Sequence, residues 1–144
     1  MGRIIGIDYG RKRTGVAVTD PLQIFASPLT TVRTHEIEKY LEEYYRAEHI
    51  ESFVVGYPLQ MNNKPGKTVT DIDKFIKRLK KLFPGIPVHK VDERFTSGIA
   101  LRTMIAGGVK MKDRQDKAMI DKISASIILQ SFLDKMQKTK SGMQ

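Results

Sequence analysis

Arg3-Ile4-Ile5-Gly6-Ile7-Asp8-Tyr9-Gly10-Arg11-Lys12-Arg13-Thr14-Gly15-Val16-Ala17-Val18-Thr19-Asp20 is the stretch on which the fold turns. Residues 3–7 read as a short buried strand with Asp8 directly after it, and residues 16–19 as a second strand closed by Asp20-Pro21. The seven residues between Asp8 and Val16 are bounded by Gly10 and Gly15 and carry Arg11, Lys12 and Arg13 at their centre, so the pair is expected to be a hairpin with a basic tip. An acid at the carboxyl end of a buried strand is poorly placed for packing and well placed to face a cleft.

Outward from this hairpin, residues 24–32 supply a third strand bent at Pro28. Residues 35–49 have helical spacing, with Ile37, Tyr40, Leu41, Tyr44 and Tyr45 on one face as core or interface residues. Residues 52–57 form a continuous apolar run that fits a buried parallel strand. The stretch 59–67 reads as a loop. A helix follows from Thr70 to Leu82, stopped by Phe83-Pro84-Gly85, and then a strand over 86–91. Ser97 caps a helix reaching Ala106, residues 109–117 form a basic loop, and the last helix spans Lys117 to Met136. Three strands in a meander, followed by alternating helices and strands, predict an α/β fold: a mixed sheet, antiparallel and then parallel, with helices on both faces. Residues 1–138 are assigned to a single domain and 139–144 to a frayed tail.

Composition narrows the chemistry. The chain has 144 residues, a net charge of +9 and no cysteine, which excludes a disulfide scaffold, a thiol nucleophile and any cysteine-ligated metal. Its three histidines are scattered at 35, 49 and 89, which argues against a histidine-rich metal centre, and His89 is read as a structural or surface residue. No apolar run is long enough to span a bilayer and the first residues do not form a secretory signal, so a cytoplasmic location is expected. The basic balance favours a polyanionic partner such as nucleic acid.

Three acids fall at the ends of separate elements: Asp8 after the first strand, Glu93 after the strand at 86–91, and Asp121 in the first turns of the last helix. Carboxylates are hard ligands for Mg²⁺ or Mn²⁺, and two such ions about 3.5–4 Å apart can clamp an in-line phosphoryl displacement. Asp92 is an alternative to Glu93, because alternate residues of a strand face opposite ways. Arg94 is read either as a phosphate contact or as a salt-bridge partner of Asp92 or Glu93. Lys110, Lys112, Arg114 and Lys117 form a basic cluster beside Asp121, placed to follow a phosphodiester backbone.

The sequence resembles the YqgF family of small bacterial nucleases, which are similar to the Holliday-junction resolvase RuvC and have a ribonuclease H-like fold. The resemblance rests on Gly6-Ile7-Asp8-Tyr9-Gly10 with Arg13, Gly15-Val16-Ala17 and Asp20, on Val55-Gly56-Tyr57-Pro58-Leu59, on Val91-Asp92-Glu93-Arg94-Phe95-Thr96-Ser97, and on Ile120-Asp121 with Ser124-Ala125 and Ile128-Leu129-Gln130. It implies a catalytic, metal-binding triad of Asp8, Glu93 and Asp121 converging at one end of the sheet, with two Mg²⁺ or Mn²⁺ ions. It also implies a nuclease trimming the 5′ end of precursor 16S ribosomal RNA, with Holliday junction resolution as the alternative. Gln60-Met61-Asn62-Asn63-Lys64 departs from the family's Asn and Asp-Gly pattern, and Ile123-Ser124-Ala125 stands where paired alanines are usual. Arg11, Lys12, Arg13, Arg94, Lys110, Lys112 and Lys117 are the expected nucleic-acid contacts, the partner being structured RNA or branched DNA bound by a monomer or homodimer. Two other classes compete: a phosphotransferase of the actin, sugar-kinase and Hsp70 superfamily, disfavoured by length, and a non-catalytic nucleic-acid-binding module, disfavoured by the intact acids.

Overall fold

The computed structural model describes residues 2–58, 67–92 and 117–142. The described elements are β1 (Arg3–Tyr9), β2 (Arg13–Thr19), β3 (Ala26–Arg33), a 3₁₀ turn (Thr34–Glu36), α1 (Ile37–Ala47), β4 (Ile50–Tyr57), α2 (Lys67–Leu82), β5 (Val88–Asp92) and α3 (Lys117–Gly142). The five strands form one sheet in the order β3-β2-β1-β4-β5. β1 runs antiparallel to β2, and β2 to β3, while β1, β4 and β5 are parallel. This is the mixed sheet that the meander followed by βαβ units implies.

The two faces of the sheet bury different residues. Ile5, Ile7, Val16, Phe53 and Val55 pack with Ile37 and Leu41 of α1 and with Ile72, Phe75, Ile76 and Leu79 of α2. Ile4, Ala17, Val54 and Val91 pack instead against Ala125, Ile128, Leu129 and Leu133 of α3. Covering both faces is why β1 and β4 read as unbroken apolar runs rather than as alternating ones. β3, at the sheet edge, is largely exposed.

Element ends differ from the sequence reading in instructive ways. The hairpin is longer than expected: Asp8 pairs with Gly15 and Tyr9 with Thr14, so Asp8 lies within β1 and the turn shrinks to Gly10, Arg11 and Lys12. A backbone ladder is indifferent to side-chain polarity, which is why pattern alone ended the strands early. β5 begins at Val88 rather than Ile86, because Ile86 N–H turns back to the Phe83 carbonyl and Pro87 has no N–H to donate. α3 continues to Gly142, since no breaker occurs between Met136 and that glycine. The helix expected over 97–106 lies outside the described residues. Tyr40 and Tyr44 pack on the core as half-buried residues, and burial raises the pKa of both phenols.

Candidate active site

Two glycines set how closely α3 approaches the sheet. A Cβ placed on Gly15 would lie 2.0 Å from the Asp121 carbonyl oxygen, and one on Gly6 would lie 2.7 Å from Leu129 Cβ. Only residues without side chains let the helix backbone rest on β1 and β2 in this way. Thr31 on β3 completes the row Asp8–Gly15–Thr31 across the three strands, and its hydroxyl donates to the Ala118 carbonyl at 2.5 Å. The first turns of α3 therefore lie across this row. Asp8 is one strand spacing, about 5 Å, from the glycine on which Asp121 sits. Asp8 alternates with Ile7 and so occupies the α3 face with Gly6, whereas Ile7 belongs to the opposite core.

Two of the three expected triad members are thus brought together; Glu93 lies outside the described residues. The register fixes the face on which Asp92 lies. Asp92 pairs with Tyr57, two positions beyond the pairing of Val55 with Lys90, and this row belongs to the α2 face. Val91, which packs against α3, shares the face of Asp8, and Asp92 does not.

Arg13 is the chief electrostatic feature of the pair. Its Nε donates to Asp121 Oδ2 at 2.8 Å, joining residues 108 positions apart, with the carboxylate only 22% exposed. The sequence reading placed Arg13 on a phosphate; here it meets an expected metal ligand. Arg11 and Lys12 are exposed on the hairpin turn, and Lys117 is exposed at the start of α3, one turn before Asp121. Arg94, Lys110 and Lys112 lie outside the described residues.

Sequence reasoning missed a cleft. An open cavity of about 1000 Å³ is lined by Tyr9, Arg11, Lys12, Arg13, Arg33 and Arg78, among others. Arg33 is the cross-strand partner of Arg13, and Arg78 donates to Glu38 Oε1 at 2.6 Å and to the Tyr9 hydroxyl at 3.4 Å. The hydrogen bond to Glu38 raises the pKa of Arg78, which stays charged. The only available signal was the hairpin register, which puts Arg33 beside Arg13. Farther along the sheet end, Tyr57 donates its hydroxyl to Asp73 at 3.2 Å and Lys90 Nζ lies 4.6 Å from its ring centre. Burial first, then the Asp73 charge, raises the pKa of the Tyr57 phenol. His89 is exposed on β5, its ring tilted 30° against that of Phe132 with centres 4.8 Å apart. Among the described residues no three metal-ligating side chains cluster, and no helix is long and apolar enough to cross a membrane.

A five-stranded sheet of this order, with its acids at the end where β1, β4 and β5 finish, defines a ribonuclease H-like, RuvC-like fold. The T. thermophilus RuvC bound to a Holliday junction substrate superposes with a TM-score of 0.56 at 16% identity, over 94% of this chain and 96% of that one. The fowlpox virus resolvase bound to Holliday junction DNA gives a TM-score of 0.56 at 10% identity, over 93% and 98%. The family model described as "RuvX: Holliday junction resolvase" matches residues 2–135, and the chain belongs to that family. Relatives from Bacteroides thetaiotaomicron and Phocaeicola vulgatus, each named "Putative pre-16S rRNA nuclease", are 53% and 54% identical over 134 residues, which is 93% of this chain and 97% and 96% of theirs.

Proposed function

We propose that this protein is a divalent-metal-dependent nuclease that hydrolyses phosphodiester bonds, with the 5′ end of precursor 16S ribosomal RNA as its substrate. The observation that carries this reading is the full-length match, above half identity, to relatives named for that reaction. The juxtaposition of Asp8 and Asp121 across Gly15 supports it independently.

The donor set fits Mg²⁺ or Mn²⁺. Asp8 and Asp121 offer hard carboxylate oxygens on one face, and Glu93 is the third donor that the sequence supplies. Bound ions would supply Lewis acidity at the scissile phosphoryl group. Arg13 holds the Asp121 carboxylate in place and carries a positive charge next to where a phosphate would sit. Arg11, Lys12 and Lys117, with Arg94, Lys110 and Lys112, attract and hold the backbone.

A second reading, resolution of branched DNA junctions, is favoured by the description of the matching family. A cleavage panel separates the two: precursor ribosomal RNA, linear RNA, single-stranded DNA and a four-way junction, each with Mg²⁺, Mn²⁺ or chelator. Cut precursor RNA, lost with chelator and in Asp8→Asn, is the expected result. Preferential cutting of the junction would favour resolution. Binding with no cutting of any substrate would leave a non-catalytic module.

A further inference from the structure

We propose that the cleft beside the hairpin turn is a second segment of the binding site, holding backbone phosphates of the substrate strand beyond the scissile bond through Arg11, Lys12 and Arg33. This rests on the reading that the substrate is nucleic acid.

The position is the first argument. The cleft is lined by Arg13, whose side chain holds Asp121, and by Ala118 in the first turn of α3, so it borders that turn. A strand with its scissile phosphate at the acids would continue into it. The volume, about 1000 Å³, is at the upper end for a small-molecule pocket and leaves room for more than one nucleotide.

The charge balance is the second argument. Arg13 is committed to Asp121 and Arg78 to Glu38. Arg11, Lys12 and Arg33 form no salt bridge with any described residue, and all three are exposed. Arg33 stands directly opposite Arg13 in the β2–β3 ladder. Like charges in that relation repel, so this end of the sheet carries an electrostatic cost in the free protein that a bound anion removes.

The third argument is rigidity. Thr34 latches the turn: its N–H donates to the Lys12 carbonyl at 3.0 Å and its hydroxyl to the Gly10 carbonyl at 2.5 Å, while the Thr14 and Thr34 hydroxyls lie 2.9 Å apart. The bases are therefore presented by an ordered turn, which lowers the entropy lost on binding. Tyr9, stacked at 4.5 Å on Phe75, adds an aromatic wall to the cleft. An aromatic wall beside free bases suits a nucleotide chain better than it suits inorganic phosphate.

The test measures binding of single-stranded RNAs of increasing length at several salt concentrations, in an Asp8→Asn background, with and without Arg33→Ala. For the longer RNAs, the magnitude of the slope of log affinity against log salt should fall by about one, whereas the shortest RNA should lose little. Arg33→Lys should restore most of the slope. Without RNA, the Arg33→Ala melting temperature should hold or rise, because the repulsion with Arg13 is gone. An unchanged slope with the longer RNAs, or a marked drop in melting temperature, would overturn the proposal and leave Arg33 as a structural residue. Failure of the unsubstituted protein to cut any substrate of the cleavage panel would instead remove the nuclease reading itself.

Discussion

Arg13 sits where two requirements meet, since it neutralises Asp121 and borders the cleft proposed to hold the substrate strand. If Asp121 ligates a metal ion as proposed, a cation on its carboxylate competes with the metal for that oxygen. Arg13→Ala should therefore leave Mn²⁺ binding intact or tighter, read by calorimetry, while cleavage falls because Asp121 loses its orientation and the phosphate loses a partner. Weaker Mn²⁺ binding would mean that the guanidinium builds the metal site rather than competing with it. Ser124 offers a cleaner residue-scale case. It is buried on α3, and its hydroxyl has no hydrogen-bond partner among the described residues. Ser124→Ala should stabilise the protein by about 1 kcal/mol, measured by chemical denaturation, because a desolvated and unpaired hydroxyl is removed. Asp8 and Asp121 were legible in the sequence, because acids at element ends stand out against apolar runs. The Arg13–Asp121 pair was not, since it depends on the register of β2 and the rotation of a helix more than a hundred residues later.

At the scale of elements, the hairpin and α3 act as one unit through Gly15. Gly15→Ala drives a methyl group into helix backbone, which cannot step aside as a side chain would. A loss of ~3 kcal/mol is expected, at the upper end of overpacking costs, with Gly6→Ala milder because its closest contact is 2.7 Å rather than 2.0 Å. Equal stability of the Gly15→Ala variant would mean that α3 can lift from the sheet. The β2–β3 turn has its own organiser in Asp20, whose carboxylate accepts from the N–H groups of Phe25, Ile24 and Leu22. The bond from Phe25 is the largest cause of its lowered pKa. A lowered carboxylate pKa contributes stability above its unfolded value, and that contribution disappears as pH falls through the folded value. Asp20→Asn should thus differ from wild type in thermal stability at neutral pH and converge with it below about pH 4. A constant difference would assign the effect to shape rather than charge. Strand order and helix number along the described chain followed from hydrophobic period, whereas strand ends did not. Pairing extended β1 through Asp8 and Tyr9 where polarity suggested a stop.

For the molecule as a whole, the +9 charge predicts association that weakens steeply with salt. In sequence the bases fall into two groups: Arg11, Lys12 and Arg33 around the hairpin, and Lys110 and Lys112 in the segment before α3. Lys110→Ala combined with Lys112→Ala should reduce the salt slope by about two units for all sequences alike, read from binding to two unrelated RNAs. No change would leave the hairpin side as the sole grip, and a sequence-dependent loss would point to base readout.

The contacts at Gly15 and Gly6 also have a mechanical consequence. α3 is pinned to the sheet at Asp121 and again at Leu129, about 12 Å farther along its axis. A bar held at two points cannot pivot, so the offset between the backbones of Asp8 and Asp121 is fixed before any ion or strand arrives. Tuning that offset for a cation of another radius would have to act through the two hydrogen atoms that take the place of side chains on β1 and β2, and not through the acids themselves.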